Sequence, residues 1–424
     1  MESVKVVIAG DLFPTASNCD LFTEGKTEEL FDEKIRNIFA GADLALCNLE
    51  GVLYTGDAPK KKDGVRMQAP PEALKVYRDL NISMVSLANN HATDYGEKGV
   101  KSTAEALAAY GIQSVGSGKA GKVRKSRTFE LKDRKVTFYA VAETLFNAPS
   151  GKGHGANVYD EPRVLKDLER LKEKCDCLVV IYHGGWENFS YATPYLRRRF
   201  HLMADAGADV ILAQHTHAVC PEEYYNGSYL LYGQGNFLFN YTSRPSRTNY
   251  EGLLLELVLN PEGFRVIRHR VLRKDPGVIY DPEQDLAAFE KRSRDLAEGA
   301  DTASETARFE NAKLDEYLYI LRGNNEADRK AKRADPKGFA SYIKKQYTLR
   351  QLEEIGELMT NEEERALVIT GLRRILRERE RAAAADTGEA VLTAEEGAAE
   401  VEAAAAENTA EGAEVTAEEK TLGE

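Results

Sequence analysis

Leu178-Val179-Val180-Ile181-Tyr182-His183-Gly184-Gly185 and Val210-Ile211-Leu212-Ala213-Gln214-His215-Thr216-His217 share one form: a short apolar run that stops on histidine. Unbroken apolar runs of this length, rich in β-branched residues, read as strands buried on both faces, as parallel sheets require. The same form recurs toward the N-terminus. Residues 4–9 end in Gly10-Asp11, 44–47 in Asn48-Leu49-Glu50-Gly51, and 84–87 in Ala88-Asn89-Asn90-His91. Further strand-like runs at 136–141, 229–232, 253–259 and 266–272 alternate with helical patterns, so the fold class is α/β. In open α/β sheets the carboxyl ends of the strands line the ligand crevice. Side chains at these five strand ends are therefore expected to converge.

The converging set is Asp11, Glu50, Asn90, His183, His215 and His217. Mixed oxygen and nitrogen donors suit Mn, Fe or Zn better than Ca, and the set lacks the thiolates of a structural zinc site. Six donors exceed one tetrahedral ion but suit two divalent ions that share a bridging carboxylate. Two ions about 3.5–4 Å apart can clamp a phosphoryl group and supply a hydroxide nucleophile at neutral pH. Gly10, Gly51, Gly184 and Gly185 would let the backbone approach closely. Each piece also has an ordinary reading: Asp11 as a turn or cap, Asn89-Asn90 as a turn, His91 as a surface residue, His183 as a core residue, and His215 with His217 as a β-face pair. Their joint occurrence at strand ends favours the site.

The chain has 424 residues and a net charge of −12, and the charge is unevenly placed. Residues 382–424 hold twelve Asp/Glu and one Lys, which leaves the rest of the chain at −1. A nearly neutral body argues against a nucleic-acid surface driven by bulk positive charge. No run of 18 apolar residues occurs, so no membrane span is expected. No basic segment followed by an apolar one precedes residue 4, so a secretory signal is not expected and the location reads as cytoplasmic. The five cysteines (19, 47, 175, 177, 220) are odd in number, form no CxxC pair, and fit a reducing compartment.

Three domains are expected. Residues 1–275 carry the α/β pattern and all seven histidines. Residues 276–381 carry apolar residues at helical spacing: Leu314, Tyr317, Leu318 and Leu321, then Leu352, Ile355 and Leu358, then Val368, Leu372 and Ile375. Breaks are expected near 323–325 and 335–336. Residues 382–424, with 15 Ala and 11 Glu, bury too little apolar surface to offset ordering entropy and read as a disordered acidic tail.

Taken in order, Gly10-Asp11, Asn48-Leu49-Glu50-Gly51, Asn89-Asn90-His91 with Asp94-Tyr95-Gly96, His183-Gly184-Gly185-Trp186-Glu187, His215-Thr216-His217 and Gly235-Asn236-Phe237 form a series. That series resembles the CapA family of capsule and poly-γ-glutamate synthesis proteins, a branch of the calcineurin-like metallophosphoesterase superfamily. The resemblance covers about residues 3–245. It implies a four-layer α/β/β/α sandwich with a binuclear centre at one edge. By position Asp11 and His217 would serve one ion and Asn90, His183 and His215 the other, with Glu50 bridging. His91 would match the superfamily's general acid, oriented by Asp94.

Two positions depart from the superfamily. Phe13 stands where a ligand His is usual, so the first ion would lose a ligand, bind more weakly, or recruit Asn18, Asp20 or water. Gln214 replaces a glycine before the His-x-His pair. Lys60, Lys61, Lys62 and Arg66, and separately Arg197, Arg198 and Arg199, could each meet an anion or be solvated runs. Trp186 and Tyr191 could wall the site or merely pack. The leading expectation is a metal-dependent phosphoesterase-type hydrolase of capsule or polyglutamate metabolism acting on an anionic small molecule or polymer. The alternatives are a non-catalytic accessory subunit of a synthesis or export assembly and a metal-dependent polyglutamate amide hydrolase. Partners would be other capsule or polyglutamate synthesis proteins, through which the chain could reach a membrane.

Overall fold

The computed structural model describes residues 2–57, 65–143, 147–149, 153–240 and 250–299, with 314, 318–319, 321–322, 325–348, 350–352 and 355 beyond them. Lys60, Lys61, Lys62, Tyr317, Gly323, Leu358, Val368, Leu372, Ile375 and the tail 382–424 lie outside the described residues. All nine expected strand runs are strands. In chain order the main strands are β1 (Val4–Leu12), β2 (Leu44–Leu49), β3 (Ile82–Ser86), β4 (Gln113–Val115), β5 (Arg127–Leu131), β6 (Arg134–Ala142) and β7 (Cys177–His183). They continue as β8 (Val210–Gln214), β9 (Glu222–Tyr225), β10 (Ser228–Leu231), β11 (Asn236–Leu238), β12 (Glu251–Asn260), β13 (Gly263–Lys274) and β14 (Gly277–Tyr280).

Two sheets result. The first runs β14-β13-β12-β1-β2-β3-β4, with β11 also paired to β1; the second runs β9-β10-β8-β7-β6-β5. β1 through β4 are mutually parallel, and so are β6, β7, β8 and β10. Successive side chains of a strand point to opposite faces. Val179 and Ile181 therefore enter the core between the sheets, with Val6, Ile8 and Leu46 of the first sheet. Val180 and Tyr182 enter a second core against the helices α4 (Glu161–Lys172) and α5 (Pro194–Asp205), beside Leu168, Leu196 and Phe200. Val7, Ala9 and Cys47 face a third core with Ile35, Phe39, Leu74 and Tyr77. Three cores between four layers make the α/β/β/α sandwich. Each large buried side chain contributes roughly 1.5–3 kcal/mol, so a charge at Ile181 would break the inter-sheet layer.

Local chemistry starts the helices that cover the second sheet. Asp160 accepts from Arg163 N at the head of α4, and Thr193 accepts from Leu196 N at the head of α5. Each helix also has proline in its first two positions.

The first compact unit runs Met1–Ala303 and the second Ser304–Glu424. The first thus takes in residues beyond 275. β14 completes a hairpin with β13, and the helix Ala287–Ala297 buries Phe289 and Leu296 in two of the sandwich cores. Arg292 Nη2 also donates to Val219 O, and Ser293 Oγ accepts from Glu222 N. In the second unit Leu318, Tyr319, Phe339 and Ile343 cluster, and Asp335 ends the helix Glu326–Ala334.

Candidate metal centre

Parallel pairing sets the strand ends side by side. Asp11 is in register with Asn48 and with Asn236, and His183 with Gln214. The first sheet thereby presents Asp11, Glu50 and Asn90 at the end where the second presents His183, His215 and His217. Asp11, Glu50 and His217 form one group whose donor atoms all lie within 4.8 Å of one another, and Glu50, His183 and His215 form another. Glu50 belongs to both. Its Oε1 lies 3.8 Å from His183 Nε2 and 3.9 Å from His217 Nε2. Asn90 joins the second group through Oδ1, 3.0 Å from His183 Nε2.

These donors fit a cation. Asp11 Oδ2, Glu50 Oε1 and His215 Nδ1 are buried without a hydrogen-bond partner among the described residues. Buried polar atoms are normally satisfied, and three orphans on residues of the two donor groups call for a missing partner. The electrostatics agree. Burial pushes the Glu50 carboxyl well up, and the neighbouring Asp11 charge adds to this. Burial would also raise Asp11, but close contact with His217 holds it well below the usual range. Burial works against a charged His217, yet Asp11 at 3.3 Å raises it. Burial, with the charge of neighbouring histidines, lowers His183 strongly and His215 as well. Neutral imidazoles offer lone pairs, the form in which His binds metal.

Several residues that the sequence reading gave no role hold the donors in place. Asn48 Nδ2 donates to Asp11 Oδ1 at 2.8 Å and to Glu50 Oε2 at 3.3 Å. Asn89 Nδ2 donates to Asn48 Oδ1 and to Leu49 O, and its Oδ1 accepts from His91 N. Asn236 Oδ1 lies 2.9 Å from His217 Nδ1. Glu187 Oε1 sits 3.7 Å from His215 Nε2 at the exposed side. The only sequence signal for the three asparagines was their place inside the same motifs. His215 and His217 have φ of 91° and 51°. These left-handed values are unfavourable for a side chain with Cβ and tend to persist at functional sites. Thr216 Oγ1, between them, donates to Ala218 O.

His91 Nδ1 lies 2.7 Å from Asp94 Oδ2, which also accepts from Met67 N. Asp94 is buried while the His91 ring remains 13% exposed, so the carboxylate can orient an imidazole that substrate can reach. Phe13 is fully buried, and a Cβ on Gly51 would stand 2.4 Å from its ring. The phenyl fills the space beneath the Glu50 turn. Asn18 bonds Thr15 N and Pro276 O, and Asp20 is exposed in the first turn of the helix Cys19–Glu24. Neither is brought to the donor groups. Gln214 points between the sheets, where Nε2 donates to Ala9 O and Gln234 Oε1.

The arginine run is internally engaged. Arg197 pairs with Glu223, Arg198 with Glu161, and Arg199 with Glu143, Tyr182 and Tyr195. Trp186 packs on Phe189, which packs on Tyr191. All five cysteines are free, and burial raises the thiols of Cys175 and Cys177. Among the described residues no helix is long and apolar enough to cross a membrane.

Residues 5–241, which contain every donor named above, match the family described as bacterial capsule synthesis protein PGA_cap. The chain belongs to that family. Among PGA_cap relatives, the "PGA biosynthesis protein CapA" of Bacillus subtilis (strain 168) is 31% identical over 227 residues, 51% of this chain and 59% of that protein. The "Capsule biosynthesis protein CapA" of Bacillus anthracis is 29% identical over 249 residues, 56% of this chain and 60% of that protein. The chain thus spans less than two thirds of either relative's length. Among solved structures, the 5'-nucleotidase precursor from Thermus thermophilus aligns with a TM-score of 0.40 at 14% identity, over 70% of this chain and 59% of that one.

Proposed function

We propose that this PGA_cap protein is a metal-dependent hydrolase of the phosphoesterase type, working in capsule or polyglutamate metabolism on an anionic substrate. The observation that carries the reading is Glu50 Oε1. Among the described residues it is a buried carboxylate oxygen without a hydrogen-bond partner, nearly equidistant from His183 Nε2 and His217 Nε2. An oxygen so placed suits a bridge between two cations. Asp11 and His217 would hold one, and Asn90, His183 and His215 the other; the donor chemistry suits Mn, Fe or Zn. When bound, such ions polarise the scissile centre and activate water at neutral pH.

The protein's own groups supply the remainder. Asn48 keeps Asp11 and Glu50 aimed at the centre, so their charges need not reorganise during reaction. His91 would carry the proton to the leaving-group oxygen. Its Nδ1 is turned to Asp94, which leaves Nε2 as the donor. The test is elemental analysis of the purified chain, followed by a panel of phosphomonoesters, phosphodiesters and glutamate oligomers with the metal restored. Near-stoichiometric metal with turnover that depends on His91 is expected. Full metal occupancy without turnover on any member would instead favour an accessory role. That second reading draws on Phe13, a buried phenyl at the sequence position where the resemblance implies a further ligand. Release of glutamate from the oligomers would favour amide hydrolysis.

A further inference from the structure

We propose that a cationic cavity on the outer face of the second sheet binds a linear polycarboxylate, apart from the metal centre. The cavity, of about 1260 Å³, lies along α4 and is lined by Arg124, Lys125, Arg163, Lys166, Arg170 and Lys174. Residues 163, 166 and 170 recur at helical spacing, so they form one stripe on α4, and Lys174 follows in the turn just past its end. At 1.5 Å per residue the helical stripe is roughly 10 Å long. Arg124 and Lys125 stand across from it.

Two carboxylates line the same cavity, and both are already used. Asp167, buried, accepts from both Arg124 Nε and Nη2, from Arg170 Nη2 and from Tyr139 Oη. Asp160 caps α4 through Arg163 N. Lys125, Lys166 and Lys174 have no ion pair among the described residues. Like charges gathered on one helix face oppose folding slightly. In a body whose net charge outside the tail is near zero, this concentration is what an anionic ligand would relieve.

The lining selects the class of anion. Grooves for single-stranded nucleic acid pair cations with free aromatic faces for base stacking. Among the described lining residues the aromatics are Tyr139, which is buried, and Tyr159, whose ring is covered by the Arg199 guanidinium at 4.1 Å. The Arg124 fork, the group best shaped for phosphate, is occupied by Asp167. What remains open is a set of cations on both walls, the ammonium groups of Lys125, Lys166 and Lys174 and the exposed guanidiniums of Arg163 and Arg170, and such a spread of charges suits repeated single carboxylates. One wall of the cavity leads in sequence to a contact with the loop that carries His91. Ala148 and Pro149 line the cavity, while Asn147 Oδ1 accepts from Thr93 Oγ1 at 2.7 Å, two residues from His91. A polymer held along α4 would thus be tethered beside the general acid. Only this last step rests on the function proposed above.

The experiment uses the full chain, metal-loaded and chelator-treated, with a labelled γ-glutamate decamer as probe and fluorescence anisotropy as readout. Inorganic phosphate and an oligodeoxynucleotide of equal charge serve as competitors. Lys166→Glu/Lys174→Glu is expected to weaken decamer binding by about tenfold or more and flatten its salt dependence. Metal content and thermal midpoint should stay unchanged, and chelation should leave wild-type binding intact. Lys125→Glu, on the opposite wall, should weaken it in the same direction. Equal binding by wild type and both variants would overturn the inference, as would tighter binding of the oligonucleotide. Decamer binding that chelation abolishes and the charge reversals spare would place the polymer at the metal centre and overturn it too. Decamer binding by a chain that takes up no metal and turns over no substrate when metal is supplied would support the cavity while sinking the hydrolase reading.

Discussion

The two sheets contribute different chemistry to one place. The first sheet's strand ends supply oxygen and amide groups, namely Asp11, Asn48, Glu50, Asn89 and Asn90. The second supplies the imidazoles of His183, His215 and His217. Neither edge is a site by itself. The oxygen edge alone would hold two buried carboxylates that repel, and the imidazole edge alone would hold three rings whose charged forms burial disfavours. Stacking the sheets is what brings the oxygen and imidazole donors of the two edges within 4.8 Å of one another in each group. The Gln214 and Gln234 side chains stitch the stack just behind these donors, through Ala9 O and Ile8 O.

The largest expected effect comes from the residue shared by both groups. Glu50→Gln should deplete metal at both positions, by more than the 10–100-fold that loss of an outer partner typically costs. His215→Ala should deplete only one. Elemental analysis and calorimetric titration would check this, and equal stoichiometry in the two variants would break the shared-carboxylate picture.

The second effect concerns chemistry without metal loss. His91→Ala should retain metal yet lower kcat by about 10²–10⁴-fold. Asp94→Asn should lower it less, because it disturbs only the orientation of the ring.

A third test contrasts the two buried carboxylates in metal-free protein. Asp11 is held below its ordinary range, so its ionised form stabilises the fold above that range, and this is lost as pH falls through the depressed value. Glu50 is held above its range, so ionisation opposes folding and the penalty lifts as pH falls through the raised value. At neutral pH Asp11→Asn should therefore lower the thermal midpoint and Glu50→Gln should raise it. Shifts of the same sign would contradict the assigned charges.

The smallest effect should follow deletion of 382–424. Both metal content and activity are expected to stay as in the full chain, since the charge removed belongs to neither edge.

Much of the oxygen edge and the imidazole edge was legible in sequence, because metal-capable residues closing apolar runs are a local pattern. The strands were legible for the same reason. The roles of Asn48, Asn89 and Asn236 were not. An asparagine in a turn is common, and nothing local says that its amide will bridge two carboxylates or meet an imidazole. The Arg197–Arg199 run shows the converse. Its charge is visible in sequence, but its partners Glu223, Glu161 and Glu143 lie far along the chain.

By itself the sequence determined an α/β chain whose strands end on oxygen and nitrogen donors, and a nearly neutral body with an acidic C-terminal stretch. Strand identity and donor type depend on side-chain chemistry and short-range periodicity, which a sequence carries. Only the tertiary structure decided that Glu50 stands between two histidines, that Phe13 fills the Gly51 turn, and that the cations of α4 face a cavity. Those facts depend on which faces meet when two sheets and their helices stack, and that is settled by long-range packing.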